Sequence, residues 1–496
     1  MATYSPITER VTITLTPSIH QRLHDHLFPG DGDEHGAVLS AGVALTENGI
    51  RLLVRDIFIA VDGRDYVPSR RGYRMLTADF VRDCAITCRD EGLAYIAVHN
   101  HGGRDHVAFS TDDMSSHDRG YPALLGLMRG QPVGALVFAE NAVAGDFFFS
   151  GGKRAALVSA SIPGKNRLVL TPSLLGDRPA LAGQFDRQIR IFGPDGQAVL
   201  QGLRVAVIGA GGVGSLLVEY LGRLGVGQLI VIDPEQVAPS NLPRMPGSRP
   251  SDIPLQEPWV PEVIRRWAQR RLAARKVKIV ERLATESGCG SRVVPICGDI
   301  LDPSVAAALI ACDFVFLAAD SMRARLLFNA TAHQYLIPGM QVGSKVQFDK
   351  ATGDLLSVFS VVRPIDLDGG CLWCNGLIPP RLLQEEAATP RERAQQRYVE
   401  DPTIEAPSVI TLNAVGASYA ANTFLFWATG LRVGEVVSDY VRVDARSGLV
   451  SYDAPRRDLE CPECSLTQQS RRARGDSRDL PTRSLKMTGS EPGGGR

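Results

Sequence analysis

Residues 204–233 read RVAVIGAGGVGSLLVEYLGRLGVGQLIVID. The stretch starts with a short apolar run, passes through a glycine-rich turn into a helix-like segment, and ends in a second apolar run. This order is typical of a βαβ unit in a parallel sheet, whose buried strands are almost continuously apolar. We predict strands at 204–208 and 228–232, a helix at 215–224, and a doubly wound α/β fold with a parallel sheet around them.

The glycine turn, Gly209 to Gly214, has the spacing GxGxxG. Backbone N–H groups and the dipole of the following helix can hold a phosphate there, and Asp233, nineteen residues past the last glycine, can bind ribose hydroxyls. The pattern alone describes an NAD dehydrogenase equally well. Two cationic motifs, DRQIR at 186–190 and SNLPR at 240–244, favour a nucleoside triphosphate, because cations neutralise its charge when a carboxylate attacks it.

These motifs resemble the ThiF/MoeB family and the adenylation domains of ubiquitin-activating enzymes, over about residues 184–466. The resemblance implies a Rossmann-like domain that uses ATP and Mg²⁺ to adenylate the C-terminal glycine of a ubiquitin-like or sulfur-carrier protein. It also implies that Arg187 reaches the phosphates from a partner subunit, so that the protein is a homodimer. Asp320, at the end of another apolar run, matches the magnesium ligand of the family.

The lysine of the family matches Lys276, with Lys278 as the alternative, because a Pro- and Ser-rich insertion at 245–259 shifts the count. We predict a surface loop for this insertion. Taken singly, the arginines would be surface residues in ion pairs and Asp320 a helix cap, but their order relative to the glycine turn favours a site. The predicted nucleotide-binding residues are Gly209, Gly211, Gly212, Gly214, Asp233, Asn241, Arg244 and Lys276, with Arg187 and Asp320 as catalytic residues.

A second site is predicted about a hundred residues upstream. The apolar run 93–98 has the character of a strand and leads into His99 and His101, which face the same way because side chains two apart on a strand share a face. With Asp113 as a third ligand they would leave one position of a tetrahedral zinc open to water, as in catalytic zinc sites. Glu34 is the predicted base for that water.

This pattern resembles the JAB/MPN (JAMM) family of zinc isopeptidases, over about 165 residues. The resemblance implies that Ser110 helps to hold the oxyanion. Eight residues separate His101 from Ser110, one more than is usual in the family, so Asp112 is an alternative to Asp113. The competing interpretation is a pair of strand-end histidines followed by a capped helix. We predict that three further histidines are core or solvent residues: His35, His106 and His117.

Two CxxC pairs, Cys371 with Cys374 and Cys461 with Cys464, supply the four thiolates of a structural zinc site. ThiF-like proteins carry such a site, and 86 residues separate the pairs, so the metal would join distant segments. No cysteine lies between the pairs, where activating enzymes place a nucleophile, and the matching stretch 406–409 offers only a serine. We therefore predict adenylation without an enzyme thioester, and burial of Cys297 and Cys312.

Composition sets the outer limits. A chain of 496 residues fits two or three domains, and 54 basic against 54 acidic residues give no net field for nucleic acid or membranes. No apolar run approaches the roughly 18 residues of a membrane span, and nine cysteines are too sparse for a disulfide scaffold, so we expect a cytoplasmic protein. We predict a mixed α/β domain at 1–165 with a helix near 77–91, an adenylation domain at 170–466, and a disordered tail at 467–496.

The two sites together suggest one function. The zinc site would cleave a peptide or isopeptide bond after the C-terminal glycine of a ubiquitin-like protein, and the nucleotide site would adenylate the same glycine, with a conjugating enzyme as a further partner. Three alternatives stay open: sulfur-carrier activation in a biosynthetic pathway, a docking protein with one inactive site, and the dehydrogenase.

Overall fold

The protein is described by a computed structural model over residues 5–6, 10–68, 74–173, 183–349, 352–387, 407–434 and 439–483. The described residues form two sheets, one in each half of the chain. The first half contains β1 (Ser5–Pro6), β2 (Arg10–Thr14), α1 (Pro17–Leu27), β3 (Gly36–Thr46), β4 (Gly49–Ile59), α2 (Ala78–Asp90), β5 (Ala94–Asn100), α3 (Thr111–Leu127), β6 (Val133–Phe138), β7 (Val143–Phe149), β8 (Lys153–Pro163) and β9 (Arg167–Leu170).

The first domain contains both helices and strands, and its sheet, of parallel and antiparallel strands, has the order β1-β8-β2-β4-β3-β5-β6-β7. Strand β8 pairs with β2 on one side and with β7 on the other, so the sheet curls round until it closes. Helix α2 lies where the apolar pattern places it, and its N-cap Thr77 accepts a hydrogen bond from the Phe80 N–H. Strand β9 pairs with β8, so this domain continues past the predicted boundary at residue 165, as far as Ser173.

The second half contains α4 (Asp186–Gly202), β10 (Arg204–Ile208), α5 (Gly212–Arg223), β11 (Gln228–Ile232), α6 (Glu262–Leu272), α7 (Lys276–Glu286), β12 (Arg292–Ile296), α8 (Pro303–Ala306), β13 (Phe314–Leu317), α9 (Met322–Gln334), β14 (Gly339–Phe348), β15 (Leu355–Pro364), α10 (Pro380–Ala387), α11 (Ile410–Ala428), β16 (Tyr440–Asp444) and β17 (Val450–Asp453). Both predicted strands of the βαβ unit have the expected bounds. The helix between them begins at Gly212 rather than at residue 215 because the last glycines of the turn already form its first turn.

The second sheet has the order β12-β11-β10-β13-β14-β15-β16-β17. The first five strands form the predicted parallel sheet, and the last three extend it with antiparallel pairings that the sequence did not predict. Alternate residues of β10 enter different cores: Val205 and Val207 pack in the core that includes α5 and α11, whereas Ala206 and Ile208 pack in the one that includes α9. The parallel part is therefore covered on both faces, as a doubly wound sheet requires.

The prediction of a disordered tail is wrong for residues 468–483, which are described, and residues 484–496 lie outside the described part. Arg472 is 1% exposed, and its Nη2 donates to Asp368 Oδ1 at 2.6 Å and to Thr16 Oγ1 at 3.1 Å. Gly475 pairs with Val43 of the first sheet. The segment has few apolar residues, but two of its arginines, Arg472 and Arg474, are buried and paired with carboxylates, Asp368 of the second domain and Glu91 of the first.

The predicted surface loop at 245–259 contains a single 3-10 turn, Pro250–Asp252, and no strand or longer helix. Among the described residues, no helix combines the length and the apolar character that crossing a bilayer would need.

Candidate functional site

The glycine turn lies at the carboxyl edge of the parallel strands, between β10 and β13, where the direction of strand order reverses. Gly209 has φ of +97°, and a Cβ there would come within 3.0 Å of the Ala318 carbonyl carbon and the Ala319 nitrogen. A Cβ on Gly214 would lie 1.8 Å from the Gly209 carbonyl oxygen. Both positions therefore require glycine. A Cβ on Gly211 would meet nothing within 4 Å, so this side of the turn is open to a ligand.

Asp233 follows β11 and is joined to the turn. Its Oδ2 accepts a hydrogen bond from the Ala210 N–H at 2.7 Å, and its Oδ1 accepts one from the Glu235 N–H at 2.8 Å. Burial raises the pKa of the Asp233 carboxyl, while the Ala210 N–H and the charge of Lys276 oppose that shift. Each carboxylate oxygen keeps a lone pair for a further donor, which is what a ribose hydroxyl would supply.

The two candidate lysines differ in position. Lys276 is 8% exposed, and its ammonium donates to a carboxylate oxygen of Glu235 beside Asp233. Lys278 is exposed and pairs with Glu281 at 2.9 Å, within its own helix. Of the two, the structure brings only Lys276 to the glycine turn. Glu235, its partner, was not identified from the sequence.

Asn241 and Arg244 lie beside the start of α5. The Asn241 side chain is buried and its Oδ1 accepts from the Ala238 N–H at 2.9 Å, which fixes the turn that carries both residues. A Cβ on Gly212 would lie 3.3 Å from the Arg244 carbonyl oxygen and 2.4 Å from Asn413 Nδ2. Sequence analysis missed Asn413; its one signal is an amide side chain in the first turn of a helix made mostly of apolar residues.

Asp320 lies three residues after β13 ends and is exposed at the same edge as the glycine turn. Arg187 is exposed on α4, and among the described residues no hydrogen bond or ion pair joins it to the glycine turn. The structure thus joins Asp233 and Lys276 to the glycine turn, places the turn of Asn241 and Arg244 beside the start of α5 and Asp320 at the same edge of the sheet, and shows no contact of Arg187 with them among the described residues.

The first-domain residues converge as well. His99 Nε2 and His101 Nε2 are 3.2 Å apart, Asp113 Oδ1 is 3.5 Å from His99 Nε2, and Asp113 Oδ2 is 3.3 Å from His101 Nε2. Donors held about 2.0 to 2.1 Å from a tetrahedral zinc would be about 3.3 Å apart, so the three side chains fit this ion. His101 Nδ1 contacts the Ala108 carbonyl oxygen at 3.1 Å, which turns Nε2 toward the cluster.

Glu34 and Ser110 border this cluster. Glu34 Oε1 lies 4.0 Å from His101 Nε2. Ser110 is the N-cap of α3: its hydroxyl donates to Asp113 Oδ2 at 2.7 Å and accepts from the Asp113 N–H at 3.1 Å. Burial opposes ionisation of Asp113, but hydrogen bonds from His99 and Ser110 outweigh it and lower the pKa of this carboxyl. The helix cap and the cluster thus use the same aspartate, and Asp112 is exposed outside the cluster.

The remaining histidines match their predicted environments. His35 is buried and its Nε2 contacts Asp31 Oδ1 at 3.0 Å. His117 is buried and pairs with Asp146 at 2.8 Å, and His106 is exposed.

The four cysteines of the CxxC pairs meet. Cys371 Sγ lies 3.6 Å from Cys374 Sγ and 3.7 Å from Cys461 Sγ, and Cys374 Sγ lies 3.6 Å from Cys464 Sγ. With Zn–S bonds of about 2.3 Å, a tetrahedral set has sulfur atoms about 3.8 Å apart. The cluster therefore has the donor type and spacing of a closed structural zinc site.

Burial raises the pKa of the Cys84, Cys88 and Cys312 thiols to about 12, so they remain protonated at neutral pH. Cys312 is buried as predicted, but Cys297 is exposed. The prediction failed for Cys297 because β12 ends at Ile296, which leaves the next residue at the open carboxyl edge of the sheet. Ser408 accepts a hydrogen bond from Asn413 Nδ2 at 3.0 Å, and residues 388–406 lie outside the described part.

The chain is similar to several known proteins. The sequence model of the ThiF family matches residues 185–469. The SAMP-activating enzyme E1 of Haloferax volcanii is 46% identical over 68 residues, which are 13% of this chain and 25% of that protein. The sulfur carrier protein ThiS adenylyltransferase of Bacillus subtilis is 26% identical over 210 residues, which are 41% of this chain and 57% of that protein.

The chain thus spans between a quarter and somewhat over half of the length of these two relatives. In three dimensions it is similar to a crystal structure of Escherichia coli MccB, with a TM-score of 0.42 and 15% sequence identity, over 58% of this chain and 73% of that one.

Proposed function

The chain belongs to the ThiF family, and from that premise we propose that its second domain adenylates the C-terminal glycine of a small ubiquitin-like protein. One observation carries the proposal: an open glycine turn, a buried aspartate and a buried lysine lie together at the carboxyl edge of the family domain. The match to the ThiF family argues against the dehydrogenase alternative.

In this proposal each predicted residue of the nucleotide site has its own role in adenylation. Bound ATP and Mg²⁺ would supply the adenylyl group and neutralise the triphosphate, with Asp320 as the magnesium ligand. Free N–H groups at the start of α5, which has no side-chain cap, would hold phosphate oxygens. Asp233 would accept from the ribose hydroxyls, and Lys276 would turn from Glu235 to the phosphates. Arg244 would add positive charge as pyrophosphate leaves, and Asn241 would orient its turn and contact the triphosphate.

Nucleotide binding tests this site without any knowledge of the partner. Lys276→Ala is expected to weaken the binding of a non-hydrolysable ATP analogue by at least about tenfold, since a charge-assisted contact is lost. Lys278→Ala, the matched control, should bind as the parent does because its lysine pairs within its own helix. Calorimetry measures both, and equal affinities of the two variants would contradict the assignment.

Adenylation itself is tested by exchange between ATP and labelled pyrophosphate. Exchange is expected with a β-grasp protein that ends in Gly-Gly, and not with the same protein after its last glycine is removed. A protein that binds ATP but exchanges with neither would refute adenylation of such partners.

For the first domain we propose zinc-dependent cleavage of a peptide or isopeptide bond after the same glycine, supported by the donor spacing of His99, His101 and Asp113. Zinc, when bound there, would supply a water that is acidic enough to react at neutral pH. Glu34 would take its proton, and Ser110 would contact the developing oxyanion. The domain would thus mature or deconjugate the protein that the second domain activates.

Metal content and cleavage separate the roles of these residues. Glu34→Gln should retain two zinc ions per chain but lose about 10² to 10⁴-fold in the cleavage of a ubiquitin-like protein with a C-terminal extension. His101→Ala should lose one zinc ion and all cleavage, whereas Asp112→Asn, the control, should change neither. A parent protein with only the four-cysteine ion would exclude the hydrolytic proposal.

Sulfur-carrier activation is the second candidate, and the similarity to a sulfur carrier protein ThiS adenylyltransferase favours it. Both functions begin with the acyl-adenylate, so the product distinguishes them: a thiocarboxylate in one case, an isopeptide conjugate made with a conjugating enzyme in the other. Mass spectrometry of the partner protein distinguishes the thiocarboxylate from the isopeptide conjugate. A docking protein with one inactive site would show one of the two activities and lack the other.

A further inference from the structure

A polar cavity of about 470 Å³ lies between the two domains, on the side of the second sheet away from the glycine turn. The second domain contributes the amino ends of its parallel strands, including Arg204 at the start of β10 and Asp313 just before β13. The first domain contributes residues of β2, β4, β8 and β9. The proposed adenylation and hydrolysis use none of these residues.

The cavity is lined by an excess of positive charge. Four arginines face it, Arg10, Arg51, Arg167 and Arg204, against one carboxylate among the described lining residues, Asp313. Glu47, outside the lining, forms an ion pair with Arg204. Two carboxylates therefore oppose four guanidinium groups, which remain charged at any physiological pH.

The guanidinium groups are only partly satisfied. Burial lowers the pKa of Arg51 and of Arg167, and Asp313 is a compensating carboxylate for both. Arg51 donates one N–H to the Ile310 carbonyl oxygen at 2.7 Å. Arg204 Nε is buried and has no hydrogen-bond partner among the described residues. In that same part of the chain, the Arg167 side chain forms no hydrogen bond or ion pair. Arg204 Nε is thus a buried donor without a partner, which is costly, and an acceptor from outside the chain would satisfy it.

We propose that this cavity binds a small phosphate-bearing anion that connects the two domains. Guanidinium groups match the oxygens of a phosphate in paired hydrogen bonds, and arginines from both domains can reach one such group. Thr12, Thr14, Ser159 and Ser161 line the same space and supply neutral donors. The volume is within the range of small-molecule sites, about 300 to 1,000 Å³. The ligand class is therefore orthophosphate or a phosphorylated small molecule.

A bound anion would stabilise the folded protein because it contacts arginines of both domains only when the domains are docked. The test uses the full-length, zinc-loaded protein with the nucleotide site saturated by a non-hydrolysable ATP analogue, so that the glycine turn cannot take up the probe. Inorganic phosphate is titrated at constant ionic strength against sodium chloride. Phosphate is expected to raise the unfolding temperature by several degrees above chloride, and calorimetry should give one site per chain.

Arg167→Gln is the principal variant, because this side chain forms no hydrogen bond or ion pair among the described residues, and Asp313, the carboxylate that interacts with it, keeps Arg51 beside it. It should weaken phosphate binding at least about tenfold, the value of one lost charge-assisted contact. Arg190→Gln removes an exposed arginine of α4 outside the cavity and should bind phosphate as the parent does. Equal effects of phosphate and chloride on the parent, or undiminished binding by Arg167→Gln, would overturn the proposal.

Discussion

His20 illustrates how a single side chain can make the stability of this protein depend on pH. It lies on α1, and burial together with the neighbouring His24 lowers its pKa to about 4, against an opposing effect of Asp25. Between pH 6.5 and 4 the unfolded chain therefore binds a proton at this position that the folded chain does not. Stability is fully present above pH 6.5 and falls as the pH decreases toward 4.

Replacing His20 should remove this contribution. In His20→Gln we expect the slope of the unfolding free energy between pH 6.5 and 4.5 to be shallower by up to about 1.4 kcal/mol per pH unit, the value of one proton. Denaturant titrations at several pH values measure the slope. An unaltered slope in His20→Gln would contradict the assignment.

At the residue scale, the sequence predicted the site best where metal binding requires particular side chains at a particular spacing. Alternation along a strand was enough to place His99 with His101, and two CxxC pairs were enough to place four thiols together. Asn413 could not be found in this way, because it reaches the glycine turn from a helix about 200 residues further along the chain. Only the packing of α11 against α5 brings it there.

At the scale of elements, the C-terminal segment 468–483 forms a junction between the domains. Arg472 pairs with Asp368 of the second domain, and Asp368 also accepts from the Ser18 N–H at 2.7 Å and from its hydroxyl at 2.6 Å. Arg474 pairs with Glu91 of the first domain at 3.1 Å. The segment could not be identified from its sequence, because arginines without apolar neighbours are usually solvated and the carboxylate partners of Arg472 and Arg474 lie more than 100 residues away.

Removing an arginine from this junction should lower the free energy of unfolding. Arg472→Gln leaves Asp368 without its main cationic partner, so we expect a loss of about 3 to 5 kcal/mol in the free energy of unfolding. Arg483→Gln removes an exposed partner of Asp299 in the same segment and should cost less than about 1 kcal/mol. Urea unfolding followed by tryptophan fluorescence compares the two, and similar costs would mean that the buried pair contributes no more than a surface pair.

The βαβ unit was predictable because its strands are buried on both faces and its glycines have steric reasons to be glycine. The antiparallel extension, strands β15 to β17, could not be predicted from the sequence. Strand β17 is exposed along its whole length, so it lacks the continuous apolar run that marks the parallel strands.

At the scale of the whole molecule, the exposed position of Arg187 leads us to propose that it acts on phosphates bound by a second subunit. It is exposed on α4 and, within the described part of its own chain, no hydrogen bond or ion pair links it to the glycine turn. Asp320, in contrast, lies at the carboxyl edge beside that turn. In a homodimer with shared sites, one complete site would therefore need Arg187 from one subunit and Asp320 from the other.

Mixing two inactive variants tests this arrangement. Arg187→Ala and Asp320→Ala should each lose ATP–pyrophosphate exchange, by about 10²-fold or more, because each lacks a charge that stabilises the transition state. A heterodimer of the two contains one site with both substitutions and one with neither. Co-unfolded and refolded mixtures, or co-expressed chains, should therefore recover about a quarter of the parental activity, since half of the dimers are mixed and each carries one intact site. Arg190→Ala with Asp320→Ala is the control, in which the first variant is already active. No recovery in mixed dimers of proven composition would place Arg187 in the site of its own chain or outside any site.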